Sequence, residues 1–278
     1  MYTRFQYNDI LYAEGSRVMT PDNRGFCYGD GLFETLRFTN EKIHLEELHF
    51  DRLFKGLAFL SFELPKTFTP AYLAKSVEKV CKHNKYDNAR VRITVFRDNG
   101  GLYDVNNHYP QHIIQASALE NADFELNEKG LITGIYPDAR MSMDIFSNLK
   151  SKNYLPYTTA ALYARKRDWN DIFLLNAAGR ICDASIANVF IVKNQVVYTC
   201  PLTEGCIAGV MRKFLLASLP GHGFKCQEKN LTEEDLLAAD EVFLTNAIKG
   251  IRWVGRCGES SYTNQFTTKI FNKLLKKS

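Results

Sequence analysis

Residues 31–60 read GLFETLRFTNEKIHLEELHFDRLFKGLAFL, and the hydrophobic period changes inside them. As far as Leu45, apolar and polar side chains alternate around the turn residues Thr39 and Asn40, the period-two pattern of a β-hairpin. From Leu45 onward the apolar positions are Leu48, Leu53, Leu57 and Leu60, with Phe54 beside them. They fall mostly at steps of three and four, which predicts an amphipathic helix over 45–60 with Arg52 on its polar face.

The same reading extends outward in both directions. FQYNDILYAE (5–14) has the composition of short β-structure. A second helix is expected over roughly Pro70 to His83, followed by strands in ARVRITVFRD (89–98) and QHIIQASAL (111–119). These segments close a small mixed α/β domain over 1–119. Residues 120–140 read as a linker, and 141–278 as a larger second domain. There, MDIFSNLKSKNYLPY (143–157) leads into a helix at TTAALYARKRDW (158–169). Strands follow at IFLLN, NVFIV and VVYTC, separated by the turn signals NAAGR and KNQ. Further helices are expected from Gly209 (VMRKFLLASL), from Thr232 (TEEDLLAA, acidic in its first turn) and at the C-terminus ending KLLKKS, with the strand EVFLTN between the last two. Clustered strands with helices packed outside them indicate α+β layers in preference to a doubly wound parallel sheet.

Composition narrows the function classes. The 278 residues are 45% hydrophobic and 24% charged, which excludes disordered, collagenous and repeat chains. Thirty-five Lys and Arg against 31 Asp and Glu leave a net charge of +4, too small and too dispersed for a nucleic-acid or membrane surface. The seven cysteines (27, 81, 182, 200, 206, 226 and 257) are odd in number and contain no C-x-x-C pair, so they read as reduced thiols with no metal site. MYTRFQYNDILYAEG lacks the apolar core of a signal peptide, and no apolar run approaches the ~20 residues of a membrane span, so a cytoplasmic location is expected.

The chemistry lies in a series of segments. RGFCYGDGLFETLR (24–37), LHFDRL (48–53), LKSKNYL (149–155), GRICDASIANVF (179–190) and EGCIAGVMRKF (204–214), followed by ADEVFLTNAIKGI (239–251), resemble in order and spacing the successive signatures of the class IV aminotransferases. That family includes branched-chain aminotransferase, D-amino-acid aminotransferase and 4-amino-4-deoxychorismate lyase. The resemblance runs from about residue 24 to residue 254. It implies the two-domain fold type IV, pyridoxal 5'-phosphate as cofactor, a small-molecule amino substrate, and a homodimer whose partner loop closes the active site.

Residue by residue, K-S-K-N resembles the family segment around the lysine that bonds the cofactor, which assigns that role to Lys150. Such a lysine must lose its proton, and a buried or cationic setting makes it a nucleophile and then a base. Lys152, two residues along, is the alternative, and a solvated lysine is the ordinary one. Arg52 resembles the arginine that grips the cofactor phosphate with its planar fork; otherwise it is a helix-surface ion pair with Glu46 or Asp51. Gly209, Val210 and Met211 resemble the loop-to-helix turn whose N–H groups receive the same phosphate, or are a plain helix entry. Asn246 and Ala247 resemble a further cofactor-binding stretch.

Asp183 stands where the family normally has a glutamate that keeps the pyridine nitrogen protonated, one methylene shorter; its ordinary reading is a turn residue at a strand end. Tyr28 matches an aromatic position lining the pocket, or packs in the core. Alternation places Phe33, Thr35 and Arg37 on one face and Glu34 and Leu36 on the other, so Thr35 and Arg37 are candidates to face the substrate. Arg97 in FRDNGG resembles a substrate-side loop suited to a carboxylate, or is an exposed strand-end arginine.

Within the family, YGDGLFETLR, the methionine of GVMR and the alanine of FLTNAIKG resemble the deoxychorismate lyases, the last two where transaminases generally have threonine. A lyase is therefore expected ahead of a branched-chain or D-amino-acid aminotransferase. A non-catalytic protein binding the same cofactor is the alternative from another class.

Overall fold

Alternation at the start of the chain becomes strand in the computed structural model, which describes residues 3–104 and 106–276. β1 (Arg4–Tyr7) and β2 (Ile10–Ala13) form an antiparallel pair. After the four-residue helix α1 (Arg24–Cys27), capped by the Asn23 side chain on Phe26 N–H, β3 (Gly31–Thr39) turns into β4 (Lys42–Ile43). Asn40 and Glu41 both take positive φ, 52° and 59°, so the hairpin turns one residue later than Thr39 and Asn40, through a two-residue loop whose twist suits the strands. The change of period then gives α2 (Glu46–Phe59), which buries Phe50, Leu53 and Leu57.

Helix α3 (Pro70–His83) starts where Thr69 accepts a hydrogen bond from Tyr72 N–H and Pro70 occupies the first turn, and it ends on Lys82 and His83. β5 (Asn88–Arg97) and β6 (Pro110–Ala118) complete an antiparallel sheet, six-stranded among the described residues, in the order β2-β1-β6-β5-β3-β4. Helix α2 lies on β3, and α3 on β6 and β1. Between helices and sheet, Leu36, Leu57, Leu73, Val77, Val91, Ile93 and Val95 are completely buried, each such side chain contributing about 1.5–3 kcal/mol.

The first unit comprises Met1–Ala122 together with Lys150–Asn153; the second comprises Asp123–Leu149 and Tyr154–Ser278. Lys150–Asn153 groups with the first unit because it runs beside the Gly31 end of β3. Phe33 N–H donates to Lys150 O at 2.9 Å, Lys152 N–H donates to Gly31 O at 3.1 Å, and Leu32 bridges Ser151. Much of the stretch expected as a linker is strand: β7 (Leu131–Met141) lies inside the second unit's sheet.

That sheet continues through α4 (Leu155–Arg165), β8 (Asp171–Asn176), β9 (Ile181–Ala184), β10 (Asn188–Lys193) and β11 (Val196–Thr199). Helix α5 (Val210–Ser218), β12 (Lys225–Glu228), α6 (Glu233–Leu237), β13 (Glu241–Asn246), β14 (Gly250–Cys257), β15 (Ser260–Ser261) and α7 (Gln265–Leu274) follow. Among the described residues it has nine strands, in the order β12-β11-β10-β13-β14-β7-β8-β9, with β15 on β14. β7 runs parallel to both β8 and β14, with α4 crossing between β7 and β8. Close packing there needs Gly134, since a Cβ would stand 2.0 Å from the Trp169 ring.

β8 is buried throughout: Phe173 and Leu175 face the main core with Val189, Ile191, Val242 and Leu244, while Ile172 and Leu174 face α4 through Ala160 and Ala164. Cover on both faces explains the unbroken apolar run Ile172–Leu175 within IFLLN. No helix among the described residues is long and apolar enough to cross a membrane.

Candidate active site

In the second unit, a set of polar groups gathers on Asp183. It sits within β9, a strand buried along its whole length, and is itself 2% exposed, a position no turn residue needs. The Tyr157 hydroxyl and Ile207 N–H each donate to its Oδ2 at 3.1 Å, and Asn188 Nδ2 donates to Oδ1 at 3.1 Å. Three donors stabilise a carboxylate anion and fix its direction. Burial, then the Asp183 charge, pushes the Tyr157 phenol well above its ordinary range, so Tyr157 remains a neutral donor. Asn188 ties the set together, for its Nδ2 also donates to Ile207 O at 2.9 Å.

The segment that supplies Ile207 runs directly into α5. A Cβ on Gly209 would stand 1.7 Å from Asn188 Oδ1, so only glycine lets the helix begin this close to Asn188. No side chain caps α5, and its first-turn N–H groups with the helix dipole make an anion-binding end. β13 crosses the same place: Thr245 opposes Asn188 in register, and its Oγ1 is buried with no hydrogen-bond partner among the described residues. An uncapped helix start, a glycine whose Cβ position is taken and an orphaned hydroxyl together fit a phosphate group. Beyond it, the Asn246 side chain accepts from Ile248 and Lys249 N–H at 3.0 and 2.8 Å, so it shapes the turn that carries Ala247.

In the first unit, alternation along β3 holds as the sequence implies. Glu34 points to α2 and is 1% exposed. Arg52 donates to it from Nε at 2.7 Å and Nη2 at 2.6 Å, and His49 Nδ1 lies 2.7 Å from Oε2. Burial opposes ionisation of Glu34, but the Arg52 charge and the His49 hydrogen bond outweigh it and hold the carboxyl at about 2. Neither surface partner foreseen for Arg52 is used in this contact, and Asp51 pairs with Lys55 at 2.8 Å.

The opposite face of β3 carries Phe33 and Thr35, both half-buried. Lys150 Nζ lies 4.4 Å from the Phe33 ring centre and the Arg92 guanidinium 4.0 Å from it, so both cations share one ring. Lys152 differs. Its amine donates to Gly25 O, and burial, then nearby Arg92, lowers its pKa.

The remaining arginines sit deeper than the sequence suggests. Arg97 is 6% exposed, not an exposed strand end; its Nη1 donates to Asp30 at 2.6 Å, its Nη2 to Leu60 O, and its fork covers Phe62. Arg37 is likewise buried, with Nη2 donating to Asn121 O at 2.6 Å. Tyr28 is 46% exposed, against Tyr103 and Arg24. Sequence reading did not single out Tyr157, Asn188, Thr245 or Arg92. Arg92 was within reach of it, because the alternation that orients Thr35 also orients the residue opposite it on β5.

Residues 31–257 match the family profile described as amino-transferase class IV. A protein of Methanocaldococcus jannaschii provisionally named a branched-chain-amino-acid aminotransferase is 27% identical over 274 residues, covering 96% of this chain and 94% of its own. The aminodeoxychorismate lyase of Bacillus subtilis is 29% identical over 268 residues, 93% of this chain and 88% of its own. The crystal structure of the branched-chain aminotransferase of Thermoproteus uzoniensis with norvaline superposes with a TM-score of 0.88 at 24% identity, over 99% of this chain and 94% of that one.

Proposed function

The chain belongs to the class IV aminotransferase family, and from that membership we propose that it is a 4-amino-4-deoxychorismate lyase, releasing pyruvate and leaving 4-aminobenzoate. Enzymes of this family depend on pyridoxal 5'-phosphate, and the uncapped start of α5 with the orphaned Thr245 hydroxyl suits the phosphate of that cofactor. When bound, the cofactor supplies an electron sink. The chain's own residues do the rest.

Lys150 would supply the amine that holds the cofactor covalently, and its Nζ, once the substrate amine has displaced it, would take and return the substrate proton. Asp183, its carboxylate oriented by Tyr157, Asn188 and Ile207, would keep a proton on the pyridine nitrogen. In the second unit the N–H groups of Val210 and Met211 would receive the phosphate; in the first, Arg52, oriented by Glu34, is the arginine to which the family resemblance gives a phosphate-gripping role. Tyr28 and Thr35 line the substrate end, with Arg92 beside Lys150 as a partner for a substrate carboxylate. Loss of a ring proton and expulsion of pyruvate leave an aromatic ring, and aromatisation draws the reaction forward.

The observation that carries the lyase reading is the pair Met211 and Ala247 at the phosphate end, where transaminases generally have threonine. The test is to give the purified protein 4-amino-4-deoxychorismate in one assay, and leucine, glutamate or D-alanine with 2-oxoglutarate in others. Pyruvate is expected faster than any amino transfer. Conversion of the cofactor to its pyridoxamine form by the amino acids, with no pyruvate from aminodeoxychorismate, would establish a branched-chain or D-amino-acid aminotransferase instead.

A further inference from the structure

Thr245 is 2% exposed and its hydroxyl has no hydrogen-bond partner among the described residues. Its neighbours on β13, Val242, Phe243 and Leu244, are apolar and buried. A valine would fill the same space without an unpartnered polar atom, so the hydroxyl suits a ligand better than it suits the fold.

Strand register fixes where it points. β13 and β10 are antiparallel, with Thr245 opposite Asn188 and Phe243 opposite Phe190. Opposed residues share a face of the sheet, and the Phe190 and Phe243 rings stack with centres 5.0 Å apart on this one. The Asn188 side chain reaches Asp183 and Ile207 and lies where a Cβ on Gly209 would go. Thr245 is therefore on the face that holds Asp183 and the start of α5, a nine-residue helix with no side-chain cap.

We propose that the Thr245 hydroxyl donates to the cofactor phosphate received at the α5 N-terminus. It makes up for the hydroxyls missing at Met211 and Ala247, from one strand position earlier than Asn246. This assignment rests on the reading of the chain as a pyridoxal-phosphate enzyme. A hydroxyl rotates freely to present its hydrogen, and donation to an anion is roughly twice as strong as donation to a neutral oxygen.

The test compares wild type, Thr245→Val and Thr245→Ser as full-length protein stripped of cofactor. Each is melted, then titrated with pyridoxal phosphate, with pyridoxal and with inorganic phosphate. The valine variant is expected to melt at or above the wild-type temperature and to bind pyridoxal phosphate and phosphate about tenfold more weakly, with pyridoxal unchanged. The serine variant is expected to match wild type. Unchanged pyridoxal phosphate binding by the valine variant, equal weakening towards pyridoxal, or melting several degrees below wild type would each overturn the assignment, the last by giving the hydroxyl to the fold. A wild type that binds no pyridoxal phosphate would overturn the cofactor reading and the assignment with it; wild-type binding with an unaffected valine variant overturns the assignment alone.

Discussion

Glu34 holds Arg52 along one edge of the guanidinium, with Nε 2.7 Å from Oε1 and Nη2 2.6 Å from Oε2. Two parallel hydrogen bonds fix the plane of the fork as well as its position, which one contact to a flexible surface carboxylate would not do. The Glu34 side chain is 1% exposed and that of Arg52 15%. The pair is thus anchored from inside the first unit, and His49 fills the other approach to the same carboxylate.

Acid stability should report on this pair. The Glu34 carboxyl is lowered from 4.5 to about 2, so the stability it gives is fully present above about pH 4.5 and is lost as pH falls towards 2. That window is worth roughly 3 kcal/mol. Glu34→Gln is expected to lower stability at pH 7 by about that much, because Arg52 and His49 lose their shared anion, and to flatten the fall between pH 5 and 2. Urea melts across that range decide it; an acid limb as steep in the variant as in wild type would assign the effect to other carboxylates.

Two arginines of the first unit should fail in different ways. Arg52→Ala is expected to weaken pyridoxal phosphate binding by about 10- to 100-fold, the worth of a charge-assisted contact to phosphate. Arg97→Ala instead strips Asp30 of one ion-pair partner, leaving it Arg24, and leaves Leu60 O without that donor, so it should lower the melting temperature while changing cofactor affinity only a few-fold. Cofactor titration beside thermal melting separates them. Equal retention of cofactor by both variants would return Arg52 to a purely structural pairing.

How far the sequence reveals this molecule depends on how local each signal is. The step from period two to period 3.6 in residues 31–60 gives β3 and α2, and Thr69-Pro70 with Lys82-His83 marks both ends of α3; each signal lies within a few residues of the feature it predicts. β7 is hidden because its alternation breaks at a register shift between Ile135 and Arg140, and because its partners are β8 and β14, the latter more than a hundred residues away in sequence. Asp183 is legible from its place in GRICDASIANVF, four residues after Gly179 and five before Asn188. Its clamp is not, since Tyr157 and Ile207 lie 26 and 24 residues from it. Thr245 becomes visible only when strand register sets it opposite Asn188.

Reductive trapping should distinguish the two lysines. Borohydride treatment of the cofactor-loaded protein followed by peptide mapping is expected to place the label on Lys150. Lys152→Met should keep that label, because the Lys152 amine is engaged by Gly25 O. Lys150→Ala should abolish the label and leave the melting temperature within a few degrees of the apo wild type, as a reacting amine contributes little to packing. A label on Lys152 in the wild type would move the cofactor bond two residues along.

The clamp on Asp183 leads to a prediction about the family's glutamate. Oδ2 accepts from both Tyr157 and Ile207, and Oδ1 from Asn188, so an amide at 183 must turn its NH2 towards at least one donor. Asn188 cannot flip to relieve this without losing its bond to Ile207 O. Asp183→Asn is therefore expected to keep cofactor bound while turnover falls about 100-fold, the usual scale for removing a fixed electrostatic partner. Tyr157→Phe removes one donor and leaves the charge, and should cost only several-fold.

Asp183→Glu puts the carboxylate one methylene further out, against the Tyr157 hydroxyl. Alone it should be slower than wild type despite restoring the residue usual in the family. Combined with Tyr157→Phe, which removes the oxygen in its way, it should regain activity, so the double variant would exceed the product of the two single effects by at least the ~0.5 kcal/mol that marks coupling between neighbours. Steady-state rates of the four proteins close the cycle. Additive losses would mean that Tyr157 does not set the reach of the acid at position 183.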